Sequence, residues 1–469
     1  MRGLQQRRMR RCCQPNMFGW RASHGSGGSA PRRQSLPSVA PSRGDPPREG
    51  GFAQDRPLLT EKFAALTNVE SAAQHVRGGT PGSRTMVTTL DDMVVRAESL
   101  VTRLRDRAAQ TEAERHVPRE TIAEFIDAGL FRVLQPERFG GYQLDYGRTQ
   151  TELCNVLGRG CGSSAWVQCV VACHAWCLGM FPAEAQDAVW NPDPDTLVGT
   201  AFNFNSGRGR RVEGGYFVEG DWSFSSGSDA CAWIILGTPI YEDSQQPIKR
   251  LWALLPRRDW DIVDVWFAAG LRGSASNDIH VKGAFVPDAF TVEPETFDGR
   301  LTPGSGVNAG YIYRLPLFPV FPYNVSTPAL GTARGALESF IAATAARPER
   351  ANQAQRQLHI AESAAEIDAA HGLWLASAAN IERYGPTGEW PSSVLTRVRR
   401  DVAFATSLCV RAVDRLTLLL GAHGMADDDP IQRAWRDVHA VANHAGNNWD
   451  VHAITWARDA LGLPPAQFR

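Results

Sequence analysis

No stretch of this 469-residue chain reaches 18 uninterrupted apolar residues, so no segment reads as a membrane-spanning helix. Charge of one sign is also missing. Against 49 basic residues stand 50 acidic ones, and charged residues make up only 21%, which excludes a polyelectrolyte. No Gly-x-Gly-x-x-Gly follows an expected strand, which removes the usual nicotinamide site. Nine cysteines are too few for a disulfide mini-protein. Cys169, Cys173 and Cys177 recur every four residues in an apolar segment, one stripe of a helix. Even with His174 nearby, their spacing fits no familiar zinc or iron-sulfur pattern, so no metal is expected. Buried reduced thiols are expected instead, and with them a reducing, cytoplasmic compartment. What is present is apolar mass. Hydrophobic residues reach 43%, over a length suited to about two to four domains or one multi-lobed enzyme subunit.

The balanced total hides an asymmetry. Residues 1–85 carry 14 basic and five acidic side chains, a surplus of about +9, which leaves the remainder near −10. A nucleic-acid role would rest on this tail alone, and no nucleic-acid partner is expected. Rich in Gly, Pro and Ser and without a periodic apolar face, the tail cannot offset its own ordering entropy. It reads as a disordered basic segment or as an over-long gene start, because Met86 immediately precedes the first helical periodicity. Arg7-Arg8 and Arg10-Arg11 are followed by no apolar stretch of the length a cleaved signal needs.

Three grammars follow. Residues 86–195 read as helical: Met93, Val94, Ala97, Leu100, Val101 and Leu104 keep a three-four spacing, a second helix runs from Pro118 to Gly129, and Ser163-Ser164 are expected to cap a long apolar helix reaching about Phe181. Residues 196–295 read as β, with two strands about the Gly214-Gly215 turn and further ones at Trp233 to Gly237, Leu251 to Pro256 and Ile279 to Val286. Short strands with no helices between them predict an antiparallel barrel or sandwich. Residues 296–328 carry no period and read as a linker or lid. From 329 to 469 the spacing predicts a four-helix bundle over about 329–346, 354–384, 391–421 and 430–460. The fold class is therefore α+β and multi-lobed.

Helical lobe, β lobe and bundle in this order resemble the acyl-CoA dehydrogenase fold. Five stretches narrow the likeness: Leu134-Gln135-Pro136 through Gly141; Cys161-Gly162-Ser163-Ser164 with Trp166 and His174; Trp222-Ser223-Phe224-Ser225-Ser226-Gly227; Gly270-Leu271-Arg272-Gly273 with Ser276-Asn277; and Trp435-Arg436-Asp437-Val438-His439-Ala440 with His444. Together they resemble the oxygenase components of two-component aromatic hydroxylases, the p-hydroxyphenylacetate and secosteroid 3-hydroxylase branch. The resemblance implies a flavin-dependent monooxygenase that uses reduced FMN or FAD from a separate reductase, and O2, through a C4a-hydroperoxyflavin. It implies a small aromatic, phenolic substrate and a homotetramer.

The same resemblance assigns residues. Ser225 and Ser226, with Trp222, Arg272 and Ser276, are expected at the flavin. His444 is expected as the base that engages the substrate hydroxyl, with His174 as a second pocket histidine. Trp166, Thr200 and Phe202 are expected along the substrate pocket, although core packing is an equally good reading of such aromatics. Strand alternation puts Ser223 and Ser225 on one face with Phe224 on the other. His439, five residues before His444 on a continuous helix, diverges from it by roughly 140° and shares no face with it.

Two rivals remain. An acyl-CoA dehydrogenase of the common type carries a glutamate eight positions after its Arg-Asp pair; here that position is Ala445, and no acid lies between Asp437 and Asp450. A non-catalytic flavin-binding scaffold is the other. Within the oxygenase branch, Ser228-Asp229-Ala230-Cys231 departs from the secosteroid enzymes' Cys-Asp-His, which leaves the substrate open.

Overall fold

The computed structural model describes residues 88–466 apart from 205, 243 and 244; the expected basic tail lies outside the described residues. The first expected helix is two. Helix α1 (Leu90–Glu98) starts at a capping box, Thr89 accepting from the Asp92 N–H while the Asp92 carboxylate accepts from the Thr89 N–H. It stops at Ser99, and α2 (Val101–Glu114) follows, ending on Arg115 in the left-handed region. Helix α3 (Arg119–Asp127) follows Pro118, and Gly129, at φ +72°, ends that segment as expected. Helices α4 (Tyr146–Leu157), α5 (Gly162–Leu178) and α6 (Ala183–Trp190) complete this part. Helix α5 is apolar all round and buried along nearly its whole length. Its cap is Cys161 in an extended conformation; Ser163 and Ser164 are buried in the first turn instead of capping it. The cysteine stripe is buried and reduced as expected, with Cys169 against Gln150 at 3.1 Å and Cys173 against the Tyr146 hydroxyl at 3.4 Å.

The β region is an open mixed sheet, which corrects the expected antiparallel barrel or sandwich. Strands β1 (Val198–Ala201), β2 (Arg208–Val212), β3 (Gly215–Ser225), β4 (Trp233–Ile240), β5 (Lys249–Pro256), β6 (Asp261–Val263), β7 (Asn277–Pro287) and β8 (Thr291–Val292) lie in the order β6-β7-β3-β2-β4-β5-β8, with β1 beside β4. Two antiparallel halves meet at a parallel contact between β2 and β4 through the single pair Gly209 and Ile240, and β1 runs parallel to β4. The end strands are three and two residues long and do not pair with each other, so nothing closes the sheet. Parallel pairing is invisible to a reading based on strand spacing alone. Trp222, Trp260 and Ile279 fill a core on one side of the sheet; Trp252 and Ile235 face the larger core shared with the helices.

After three short 3-10 turns, the chain enters α7 (Leu317–Val320), α8 (Pro322–Ser326), α9 (Pro328–Ala345), α10 (Pro348–Ala351), α11 (Ala354–Tyr384), α12 (Ser392–Thr417), α13 (Pro430–Ala442) and α14 (Trp449–Ala460). The expected fourth bundle helix is broken. Helix α13 ends at Ala442 with Asn443 as its cap, a 3-10 turn occupies Ala445–Asn447, and Asn448 caps α14 by accepting from the Val451 N–H at 3.1 Å. The caps were in the sequence as Gly446 and two asparagines, whose preference for turns the alanine-rich periodicity overshadowed.

Candidate active site

A cavity of about 750 Å³ opens where the end of β3, the segment 266–276, the start of α5 and the broken end of α13 converge. The local backbone explains the convergence. Strand β3 carries a bulge between Trp222 and Ser225, and Phe224 sits there at φ +68°. Alternation fails at that point: Phe224 swings out, 67% exposed, onto the cavity wall, while Ser225 is buried and Ser226 joins the lining.

A chain of polar groups runs along one wall. The Trp166 indole N–H donates to Ser226 Oγ at 3.0 Å, Ser226 Oγ lies 2.6 Å from Ser276 Oγ, and Ser276 Oγ lies 2.7 Å from Ser274 Oγ. Beside this chain, Ser225 Oγ and Arg272 Nε are buried with no partner among the described residues. Trp166, Phe224 and Trp266 also line the space, so an aromatic, largely apolar cavity meets a few convergent polar atoms. Among the lining residues there is no carboxylate.

His444 lines the cavity from the cap turn, its ring centroid 5.9 Å from that of Trp166. The Gly446 N–H donates to His444 Nδ1 at 3.0 Å. A neutral imidazole accepting at Nδ1 carries its proton on Nε2, so His444 presents an N–H. Burial pushes its pKa down to about 4, which keeps the ring neutral near pH 7. His439 also lines this cavity. The predicted divergence of the two histidines assumed one continuous helix; with α13 ending at Ala442, the chain turns His444 back toward the same space.

The segment 266–276 is held from several sides. Asp437 Oδ1 accepts the Leu271 N–H at 2.6 Å, the Trp266 indole donates to Leu271 O at 2.9 Å, and Asn277 Oδ1 accepts the Val265 and Trp266 N–H groups, both at 3.0 Å. Leu271 and Ala275 both lie in the left-handed region, at φ +49° and +47°, conformations that side chains adopt only where the surroundings hold them. Glu112 of α2 binds Arg433 at 2.9 Å and also Arg436, both on α13, with Arg272 at 3.9 Å. Arg436 in turn donates to Ala269 O at 2.9 Å. These contacts tie the first helical region, the sheet and the last helices at the cavity rim. The partner of Asp437 is thus the Leu271 backbone, while the adjacent Arg436 turns to Glu112.

Of the residues expected at the site, Trp166, Ser226, Ser276 and His444 line the cavity, while Ser225 and Arg272 are chain neighbours of the lining residues Ser226 and Leu271. The others are elsewhere. Trp222 is in the sheet core, its indole donating to Gly237 O at 2.7 Å. His174, Thr200 and Phe202 form a separate buried group: His174 Nδ1–H donates to Val198 O at 2.8 Å, the Thr200 hydroxyl donates to His174 Nε2 at 2.7 Å, and Phe202 stacks on Trp252 with centroids 4.3 Å apart. Both His174 nitrogens are used within the fold. Signals for the missed lining residues were weak, since Trp266, Phe224 and His439 owe their positions to a loop, a bulge and a helix end.

Burial pushes the His174 pKa down to about 4 from the usual 6.5. An unfolded chain takes up that proton between pH 6.5 and 4 while the folded one does not, so the stability is whole above 6.5 and is lost as pH falls toward 4. At pH 5 the loss is about 2 kcal/mol. His174→Gln, which keeps one donor and one acceptor, is expected to flatten the acid limb of unfolding by about that amount. Denaturant midpoints at pH 7 and pH 5 check this; parallel curves for both proteins would remove His174 from the acid response.

The arrangement defines a class before it defines a family. The N-terminal and C-terminal domain patterns of acyl-CoA dehydrogenases match residues 93–193 and 323–449. Over 376 residues, 78% of this chain and 95% of the relative, the chain is 34% identical to the flavin-dependent monooxygenase oxygenase subunit HsaA of Mycobacterium tuberculosis. It is 30% identical to the oxygenase component of an FADH2-dependent resorcinol hydroxylase from a Rhizobium species, over 80% of this chain and 95% of that one. The crystal structure of the M. tuberculosis HsaA monooxygenase superposes with a TM-score of 0.77 at 33% identity, covering 81% of this chain and all of the other. The chain belongs to the family of flavin-dependent monooxygenase oxygenase subunits with the acyl-CoA dehydrogenase fold.

Proposed function

We propose that this chain is the oxygenase component of a two-component hydroxylase, takes reduced FMN or FAD from a separate reductase, and hydroxylates an aromatic substrate bearing a ring hydroxyl. The observation that carries this reading is an imidazole N–H, and no carboxylate, on the wall of the aromatic cavity. The residues fit a flavin. Ser225 Oγ and Arg272 Nε are buried polar atoms awaiting partners, and the Ser226, Ser276 and Ser274 hydroxyls offer a row of groups to a polar ring edge. When bound, reduced flavin supplies with oxygen the electrophilic oxygen atom and the reducing electrons. Trp166, Phe224 and Trp266 exclude water from the ring face, and His444 Nε2–H donates to the substrate's hydroxyl oxygen, holding it as negative charge gathers there. Trp222, His174, Thr200 and Phe202 support this site from the cores behind it. We further propose a homotetrameric, cytoplasmic enzyme whose working parts are residues 86–195, 196–295 and 329–469, with 296–328 as the connection. Among the described residues, no helix is long and apolar enough to cross a membrane.

The test uses the full chain, flavin reduced by a separate reductase, a panel of phenols and 18O2. One labelled oxygen atom in the product is expected. Reduction of oxidised flavin by an acyl-CoA would instead support the dehydrogenase reading, whose carboxylate base this cavity lacks, and failure to bind flavin in either redox state would support a scaffold.

A glycine test bears on the same site. A Cβ on Gly270 would lie 2.0 Å from the Arg436 carbonyl oxygen, so the segment packs directly on the α13 backbone. Gly270→Ala is expected to weaken reduced-flavin binding at least tenfold, by displacing Leu271 to Ser276 from the wall. Equilibrium titration under anaerobic conditions reads this; an unchanged dissociation constant would mean that the segment does not shape the flavin site.

A further inference from the structure

We infer that His439, backed by Asp414, takes the proton from the substrate hydroxyl while His444 holds the oxygen left behind; this rests on the phenolic reading above. The two rings are wired in opposite senses. His439 Nε2 lies 2.9 Å from Asp414 Oδ1, and the Trp435 indole N–H donates to that same oxygen at 2.7 Å. An ionised carboxylate only accepts, so the His439 proton sits on Nε2 and the lone pair on Nδ1. Nothing among the described residues bonds that Nδ1. The Trp435 ring, edge-on at 4.9 Å, fixes the imidazole from the side. His444 is the reverse, with its lone pair spent on the Gly446 N–H and its own N–H free.

A phenol about to lose its proton needs both kinds of nitrogen: a lone pair for the hydrogen and an N–H for the oxygen. Both rings line the one cavity. In the step, the phenolic O–H bond breaks, a bond from Nδ1 of His439 to hydrogen forms, and the electron pair stays on oxygen as phenolate. The imidazolium is stabilised by Asp414, as a carboxylate behind a histidine does when it holds the tautomer and balances the charge. His444 has no carboxylate behind it, and burial disfavours its protonated form. His439, 36% exposed, can return its proton to solvent after turnover. Several charges on its own and neighbouring helices are already paired. Arg436, on the same helix, is neutralised by Glu112; Arg411 and Arg415 of α12 bind Glu366 on α11, and Arg334 of α9 meets Asp368.

The experiment measures hydroxylation by the wild type, His439→Gln and Asp414→Asn with phenols of graded acidity, made by ring fluorination, across a range of pH. His439→Gln is expected to lower product formation about a hundredfold with an ordinary phenol, and the loss is expected to shrink for phenols already ionised at the assay pH. Recovery with the acidic phenols also serves as the control for folding. Asp414→Asn is expected to lower product formation with ordinary phenols while sparing phenols already ionised, because the imidazolium loses its counter-charge. Equal loss with every phenol, no loss, or a fall in reduced-flavin affinity in place of turnover would overturn the assignment. If the wild type hydroxylates none of the phenols, the phenolic reading itself fails, which the wild-type arm distinguishes from an error about His439.

Discussion

His444→Ala is expected to cut hydroxylated product by roughly a hundredfold to a thousandfold, the usual consequence of losing a preorganised donor to a developing oxyanion. Reduced flavin should still bind, because the orphaned serine and arginine atoms and the hydroxyl row are untouched. Oxygen consumption should therefore continue, with its electrons appearing as hydrogen peroxide and not as product. Product and peroxide per reduced flavin, measured together, separate this from a folding defect, in which both fall. His444→Gln restores part of the yield, since an amide can place an N–H near the position of Nε2. Unlike the loss at His439, the loss at His444 persists with acidic phenols, since an ionised oxygen needs a donor more than a neutral one does. An unchanged product yield in His444→Ala would leave the cavity without its proposed substrate anchor.

The contrast between the two histidines shows which parts of the site were legible in the sequence. Residue chemistry was legible: an imidazole next to an alanine that stands where the dehydrogenases carry a carboxylate, serines at the end of a strand, and an arginine in a glycine-rich turn. Placement was legible only where local periodicity sets it. Trp166 sits one turn into an apolar helix and Ser276 at a strand start, and both reach the cavity. His174 and Thr200 also follow regular elements, yet they satisfy each other in the core, because no local signal tells which face of an all-apolar helix meets the site. Phe224 needed a bulge, and His439 with His444 needed a helix break, features that depend on a single residue in an otherwise periodic run. The sheet's openness was less legible still, since it follows from one parallel pair and two very short end strands that only long-range pairing decides.

Asp437→Ala is expected to cost about 2 to 3 kcal/mol of stability and to abolish tight flavin binding together. Its carboxylate is almost wholly buried, and the Leu271 N–H that donates to it lies where no water can replace it. The same carboxylate sits by the start of α5, where a Cβ on Gly162 would come within 2.8 Å of Oδ2, so the positive end of that helix also faces it. Removing it frees a segment that already holds two residues in left-handed conformations, and Ser274 and Ser276 move with that segment. Asp437→Asn separates acceptor from charge, for it keeps an oxygen for the Leu271 N–H. Burial raises the Asp437 pKa to about 6, so the folded protein holds that proton more tightly than the unfolded chain. Relative to the Asn variant, the wild type should gain stability as pH falls through 6 toward 4 and lose it again above 6, where the buried charge must be carried. Denaturant midpoints of the three proteins at pH 5 and pH 8, alongside anaerobic flavin titration, read both effects. If Asp437→Ala keeps wild-type stability and flavin affinity, the segment that forms the cavity wall is held by its remaining contacts, those of Asn277, Trp266 and Arg436, without Asp437.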